Sequence, residues 1–149
     1  MEALFTSTAL VALAEMGDKT QLLAMLLATR FRKPVPIIFG ILIATIANHF
    51  LAALLGHSIA GVLTQDWFRY AVALSFIAMA AWTLVPDKID EDAPLRAPSK
   101  AGVFLTTLVA FFLVEMGDKT QVATIALGAR FDNLIAVTTG TTLGMMIAN

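Results

Sequence analysis

Glu15-Met16-Gly17-Asp18-Lys19-Thr20-Gln21 recurs, residue for residue, as Glu115-Met116-Gly117-Asp118-Lys119-Thr120-Gln121. The match runs on through Arg30-Phe31 and Arg130-Phe131 to Gly40 and Gly140, all at an offset of 100. A repeat this long determines how the rest of the chain is read, because it makes the protein two copies of one unit. Both copies of the motif sit inside long apolar stretches. Those stretches run roughly from Leu4 to Ala28 and from Gly102 to Ala129. Three further apolar stretches are Val35 to Gly56, Trp67 to Val85 and Leu134 to Asn149. A membrane-crossing helix needs about 20 mostly apolar residues. None of the five alternates as strands of a membrane barrel would. Five membrane helices are therefore expected.

Composition agrees. Of 149 residues, 58% are hydrophobic and 14% charged, and mean hydropathy is +0.81. A soluble chain of this length buries only about 70% of the surface its unfolded form exposes, too little to hide that much apolar area. The expected class is an all-α integral membrane protein. The formal net charge of -1 gives no basis for a nucleic-acid partner. There are no cysteines, which removes disulfides, thiolate metal sites and thiol catalysis. Met1-Glu2-Ala3-Leu4-Phe5 lacks the basic start of a secretory signal, so the N-terminus reads as a retained helix.

The breaks follow ordinary rules. Arg30, Arg32 and Lys33 end the first stretch, and Pro34 and Pro36 open the second, proline being suited to a first helical turn. His57 and Ser58 are expected in a short connection. Trp67 and Trp82 flank the third stretch, as interfacial aromatics do, and Pro86 closes it. Residues 87–101 form the long polar loop, with Asp87, Asp90, Glu91 and Asp92 among its charges. Basic residues cluster after the first helix and in this loop, with only Arg69 and Arg130 on the other side. The positive-inside rule then puts the loop in the cytoplasm and the N-terminus outside.

Three helices separate the two motifs, so the second copy enters the membrane the opposite way. Residues 1–86 form a three-helix repeat and 102–149 its inverted, shortened copy. By symmetry, a complete version adds roughly 40 residues and a sixth helix. A homo-oligomer is compatible with a chain of this size.

On a continuous helix, positions three apart share a face, so Glu15 and Asp18 point together, as do Glu115 and Asp118. A charge at mid-helix costs about 2.5–3.5 kcal/mol on the insertion scale, so three in one helix cost roughly 8–10 kcal/mol. Such groups must be paired or ligated. The four acids and Lys19 and Lys119 leave a balance of -2 across both motifs, which one divalent cation neutralises. The donors are all oxygens, suiting calcium, manganese or magnesium. Gly17 and Gly117 permit close helix approach or local unwinding. The plainer alternative is a set of buried ion pairs that only fixes packing. Two identical inverted copies at mid-depth favour a transport site, with the lysines either pairing with the acids or acting as built-in counter-cations.

Asn48 and His49, and Asn149 at the equivalent place, line the pathway or hydrogen-bond between helices. Gly40/Ala44 and Gly140/Gly144 are small-residue packing pairs. Thr45 and Thr124 are expected to bond to their own helix backbones, and Met16 and Met116 to act as filler.

The twin motifs resemble the E-x-G-D-[KR]-[ST] pair of the calcium/manganese:proton exchanger family, which includes Golgi and chloroplast manganese transporters and bacterial manganese exporters. That resemblance implies six core helices in two inverted halves. It implies a cation site of Glu15, Asp18, Glu115 and Asp118, supported by Thr20, Gln21, Thr120 and Gln121. It further implies a proton-coupled manganese, or calcium, antiporter of the bacterial inner membrane, with no prosthetic group and no enzymatic activity. Two rival classes are an intramembrane aspartyl protease using Asp18 and Asp118, and a structural membrane subunit.

Overall fold

A computed structural model describes residues 1–60, 66–83 and 99–149. Among these there are seven α-helices and no strands. They are α1 (Glu2–Glu15), α2 (Lys19–Phe31), α3 (Pro34–Ala60), α4 (Asp66–Thr83), α5 (Lys100–Glu115), α6 (Lys119–Arg130) and α7 (Leu134–Ala148). The all-α class holds, but the expectation of five helices does not, because both motif-bearing helices are broken in two. Val85, Pro86, most of the 87–101 loop and the side chains of Arg69 and Trp82 lie outside the described residues.

The break has a specific backbone cause. Met16 sits at φ -61°, ψ 115° and Gly17 at φ +80°. The Asp18 N–H donates to the Glu15 carbonyl at 3.0 Å. These values describe a type II β-turn, whose third residue must take a positive φ. Glycine does so without a Cβ penalty. The second copy repeats it, with Met116 at φ -65°, ψ 118°, Gly117 at φ +82° and Asp118 N–H to Glu115 O at 3.0 Å. A Cβ on either glycine would meet nothing within 4 Å, so conformation, not crowding, calls for glycine here. Of the two options the sequence left open, local unwinding is the one adopted.

Each turn satisfies its own polar groups. The Gly17 N–H donates to Gln21 Oε1 at 3.1 Å, and the Gly117 N–H to Gln121 Oε1 at 2.6 Å. Asp18 and Asp118 are extended residues at the N-cap positions of α2 and α6. Their carbonyls accept the first amides of the new helix, from Gln21 at 3.2 Å and Gln121 at 3.1 Å. The α5–α6 pair bends by 72° at its turn.

Of the described helices, only α3 is by itself long and apolar enough to cross a membrane; α5 and α6 pass together as a bent pair. Arg32 reverses the chain before α3 in the left-handed region, at φ 50°, and Pro34 then opens the helix. Helix α3 runs past the expected end at Gly56, so His57 and Ser58 are helical and not in a connection. The Ser58 hydroxyl donates to Leu54 O at 2.7 Å, a bond within the helix, and His57 Nδ1 lies 3.4 Å from Asp132 Oδ1.

The halves pack by exchanging partners. Helix α1 lies chiefly against α7, and its repeat counterpart α5 against α3. Each buries one i, i+4 stripe at matching positions: Ala3, Ser7, Val11 and Glu15 in α1, and Val103, Thr107, Phe111 and Glu115 in α5. A Cβ on Gly40 would lie 2.8 Å from the Thr107 Cβ, and one on Gly140 2.8 Å from the Ser7 Cβ. The small-residue positions thus set the close approach of each helix pair. Leu23, Leu27, Ile37, Ile41, Val103 and Phe111 belong to the larger apolar cluster.

Candidate cation site

The two turns place four acids in the interior. Glu15, Asp18, Glu115 and Asp118 are all at most 2% exposed. The turn, and not a shared helix face, brings Glu15 beside Asp18. Oxygens of Glu15, Asp18 and Asp118 all lie within 4.8 Å of one another. Carboxylates from both repeats therefore converge, at a spacing one cation could bridge.

The lysines cross between repeats. Lys19 Nζ is 2.9 Å from Asp118 Oδ1, and Lys119 Nζ is 2.5 Å from Asp18 Oδ1. Each motif thus neutralises the other's aspartate, an arrangement a single copy could not make. The Lys19 side chain keeps 25% of its exposure and Lys119 only 5%, so the two ion pairs are not equally dry. Of the two roles left open for the lysines, pairing with the acids is the one the geometry displays.

Glu115 stands outside the trio and is held by α3. Thr45 donates to Glu115 Oε1 at 3.0 Å, and Asn48 Nδ2 to Glu115 Oε2 at 3.3 Å. Asn48 Nδ2 also reaches Phe112 O at 3.0 Å. Glu15 is held differently. Thr20 donates to its Oε2 at 2.5 Å, while its Oε1 is buried with no hydrogen-bond partner among the described residues. A buried acceptor left open is costly by about 1–3 kcal/mol, unless a cation or proton occupies it.

The supporting residues divide. Thr20 touches Glu15 and Thr120 touches Asp118 Oδ2 at 3.5 Å. Gln21 and Gln121 instead close the turns through Gly17 and Gly117, and Gln21 also donates to Ala148 O at 3.0 Å. Thr124 bonds to Thr120 O within its helix, as expected. Thr45 does not; its contact with Glu115 escaped the sequence reading. The available signal was its i, i+3 spacing from Asn48 on one face of α3. Asn149, at the C-terminal end of α7, donates to Met145 O. His49 is buried at 1% exposure, and neither ring nitrogen has a hydrogen-bond partner among the described residues. Met16 and Met116 are exposed at 68% and 54%, outside the acid cluster.

Comparison with known proteins agrees with this arrangement. A family model described as "Divalent cation/proton antiporter GDT1" matches residues 3–91 and 103–149, which include both motifs. The chain is 51% identical over 150 residues to a Vibrio cholerae protein named "Putative manganese exporter", covering all of this chain and 74% of that one. It is 28% identical to GDT1-like protein 3 of rice (Oryza sativa subsp. indica), over 96% of this chain and 59% of the rice protein. Against GDT1-like protein 3 of Arabidopsis thaliana the identity is 27%, over 96% and 57% respectively. The chain thus spans under two thirds of the length of these two plant relatives. No solved structure matches. With the family model covering both halves and both acidic turns, the chain belongs to the GDT1 divalent cation/proton antiporter family.

Proposed function

We propose that this chain is the core of a proton-coupled manganese exporter of the bacterial plasma membrane, with Glu15, Asp18 and Asp118 as the cation-binding carboxylates and Glu115 as their buried neighbour. The observation that carries the reading is the convergence of acids from both repeats, with one Glu15 oxygen unpartnered among the described residues. The four acids and two lysines sum to -2, matching a divalent ion. All-oxygen donors favour a hard cation. The printed name of the Vibrio relative favours manganese over calcium.

Coupling follows from competition. A carboxylate must be deprotonated to ligate a metal, so cation entry expels protons and protonation expels the cation. The exchange of packing partners between α1–α7 and α5–α3 supports two inverted halves. Rocking one half against the other would open the site alternately to each side of the membrane. The Lys/Arg distribution supports an outside N-terminus and a cytoplasmic 87–101 loop. The crossed lysines count against the aspartyl-protease reading. A catalytic dyad shares one proton between two carboxyls, whereas here each aspartate engages a lysine.

The test is uptake into liposomes by the purified full-length protein, scanning manganese, calcium and magnesium across an imposed pH gradient. Manganese flux that follows the gradient and disappears in Glu15→Gln is expected. Manganese flux indifferent to the pH gradient, or unchanged by Glu15→Gln, would refute the reading.

A further inference from the structure

Helix α3 shows what lies on either side of the acids. It is unbroken from Pro34 to Ala60. Near its start, Ile37 and Ile41 belong to the larger apolar cluster, with Leu23, Leu27 and Val103. Midway, Thr45 and Asn48 hold Glu115. About 7.5 Å further along the axis, Ala53 enters a second cluster with Ala3, Leu127 and Val137. The two clusters therefore lie on opposite sides of the acids. With every acid at most 2% exposed, each cluster seals one approach to them.

The seals use matching positions but are not equal. Val103, Leu27 and Ile37 on one side correspond, at an offset of 100, to Ala3, Leu127 and Val137 on the other. The second set is the less bulky. The larger cluster also continues inward through Ala24, Ile41 and Phe111. On the Ala3 side the layer one helical turn inward is polar instead: Ser7, His49, Thr124 and Thr141 are all at most 1% exposed. Thr124 and Thr141 bond to their own helix backbones. The Ser7 hydroxyl and both His49 ring nitrogens have no hydrogen-bond partner among the described residues. At the matching positions of the other side, Thr107 and Asn149 stay polar, but Ala24 and Ile41 replace the two threonines. Buried polar atoms without partners are disfavoured in a permanently dry core. They suit a layer that is wetted whenever the seal in front of it parts.

We propose that the layer of Ala3, Ala53, Leu127 and Val137 is the outer gate through which the ion leaves the acids, with Ser7 and His49 as the side chains that receive it and its water behind the gate. The thicker seal around Val103 and Ile37 must expose more apolar surface to admit water, so the outer side opens more readily. This inference rests on the inverted arrangement and outside N-terminus proposed above, not on which cation is carried.

The test is the rate at which a charged, membrane-impermeant methanethiosulfonate labels Ser7→Cys or Thr107→Cys in sided membrane vesicles. The full-length protein is kept free of other cysteines, and these 149 residues contribute none. Total thiol after denaturation normalises each rate. Ser7→Cys should label from the outer face about tenfold faster than Thr107→Cys from the cytoplasmic face, since each methylene group that must be wetted contributes about fourfold. Ala3→Val/Val137→Ile copies the residues of the thicker seal and should slow Ser7→Cys labelling by about tenfold or more. His49→Leu, which makes the second layer apolar, should slow it too, and Val103→Ala should speed labelling of Thr107→Cys. The rates are read without manganese, so a failure of the manganese reading leaves them intact. Absent labelling of Ser7→Cys, equal rates for the two thiols, or no slowing in Ala3→Val/Val137→Ile would overturn the gate. Labelling of Ser7→Cys from the cytoplasmic face alone would overturn the orientation and the outer gate together.

Discussion

Glu15 and Glu115 occupy the same place in identical seven-residue motifs, on turns whose dihedral angles agree within a few degrees. Yet their surroundings differ. Glu115 has both oxygens occupied by Thr45 and Asn48 of α3. The matching positions of α7 are Met145 and Ala148, whose side chains have no O–H or N–H to donate. Glu15 receives Thr20 on Oε2 and has Thr120 of the other motif beside it, while its Oε1 makes no hydrogen bond among the described residues. The repeated backbone builds the cradle, and the helix lying across it decides whether an acid is fixed or available. Four acids that look equivalent along the chain thus become three that converge and one that is tied back.

That contrast is broken or sharpened most strongly at the glutamates. Glu15→Gln should abolish manganese binding and transport. Glu115→Gln should keep binding but weaken it about 10–100-fold, the usual cost of altering a group that supports the ligands. Isothermal titration and liposome flux on both variants would show it; equal losses would erase the distinction.

Next come the lysines. Lys119→Met takes the lysine away from the fully buried Asp18, and removing one partner of a buried pair costs about 3–5 kcal/mol. Lys19→Met also takes the lysine from a buried aspartate, but the lysine end of that pair keeps partial solvent access, so a smaller loss of about 1–3 kcal/mol is expected. Denaturation midpoints of the two variants in one detergent would rank them, and a larger loss for Lys19→Met would reverse the picture.

The smallest difference is expected at the turns. Gly17→Ala and Gly117→Ala should each destabilise by about 1–3 kcal/mol, the cost of a residue with a Cβ at strained positive φ. Because both turns share one geometry, the two losses should agree. A marked inequality in thermal midpoints would show that surroundings, not backbone, set the requirement for glycine.

Much of this was readable before any coordinates. The motif repeat, the all-helical class, the acids and the need to pair the lysines all follow from spacing and desolvation cost. The helix breaks were not legible, because a continuous helix and two short helices joined by a turn have the same composition and nearly the same periodicity. Only Gly17 and Gly117, placed between paired acids, hinted at the turn. Gln21 and Gln121 looked like ligands because amide oxygens can ligate, but the amides stranded by the turn claim them first. The Thr45–Glu115 contact spans 70 residues, and no local pattern encodes a partner that far away. The separate fates of Glu15 and Glu115 depend on which faces of α3 and α7 meet the turns, a property of packing alone.

The glutamine that closes each turn has a consequence for how such a molecule can arise. Glu carbonyl to Asp amide, Gly amide to Gln side chain and Asp carbonyl to Gln amide all begin and end within one seven-residue segment. The segment behaves as a self-contained cassette: it needs no outside donor to keep its bend, even in surroundings without water. Copied elsewhere in a chain and threaded in the reverse direction, it would bring its shape, its acids and its lysine with it. Two such cassettes facing each other complete one another's charges, so duplication alone supplies a two-sided ion cradle, and later changes in the flanking helices can assign each acid a separate task.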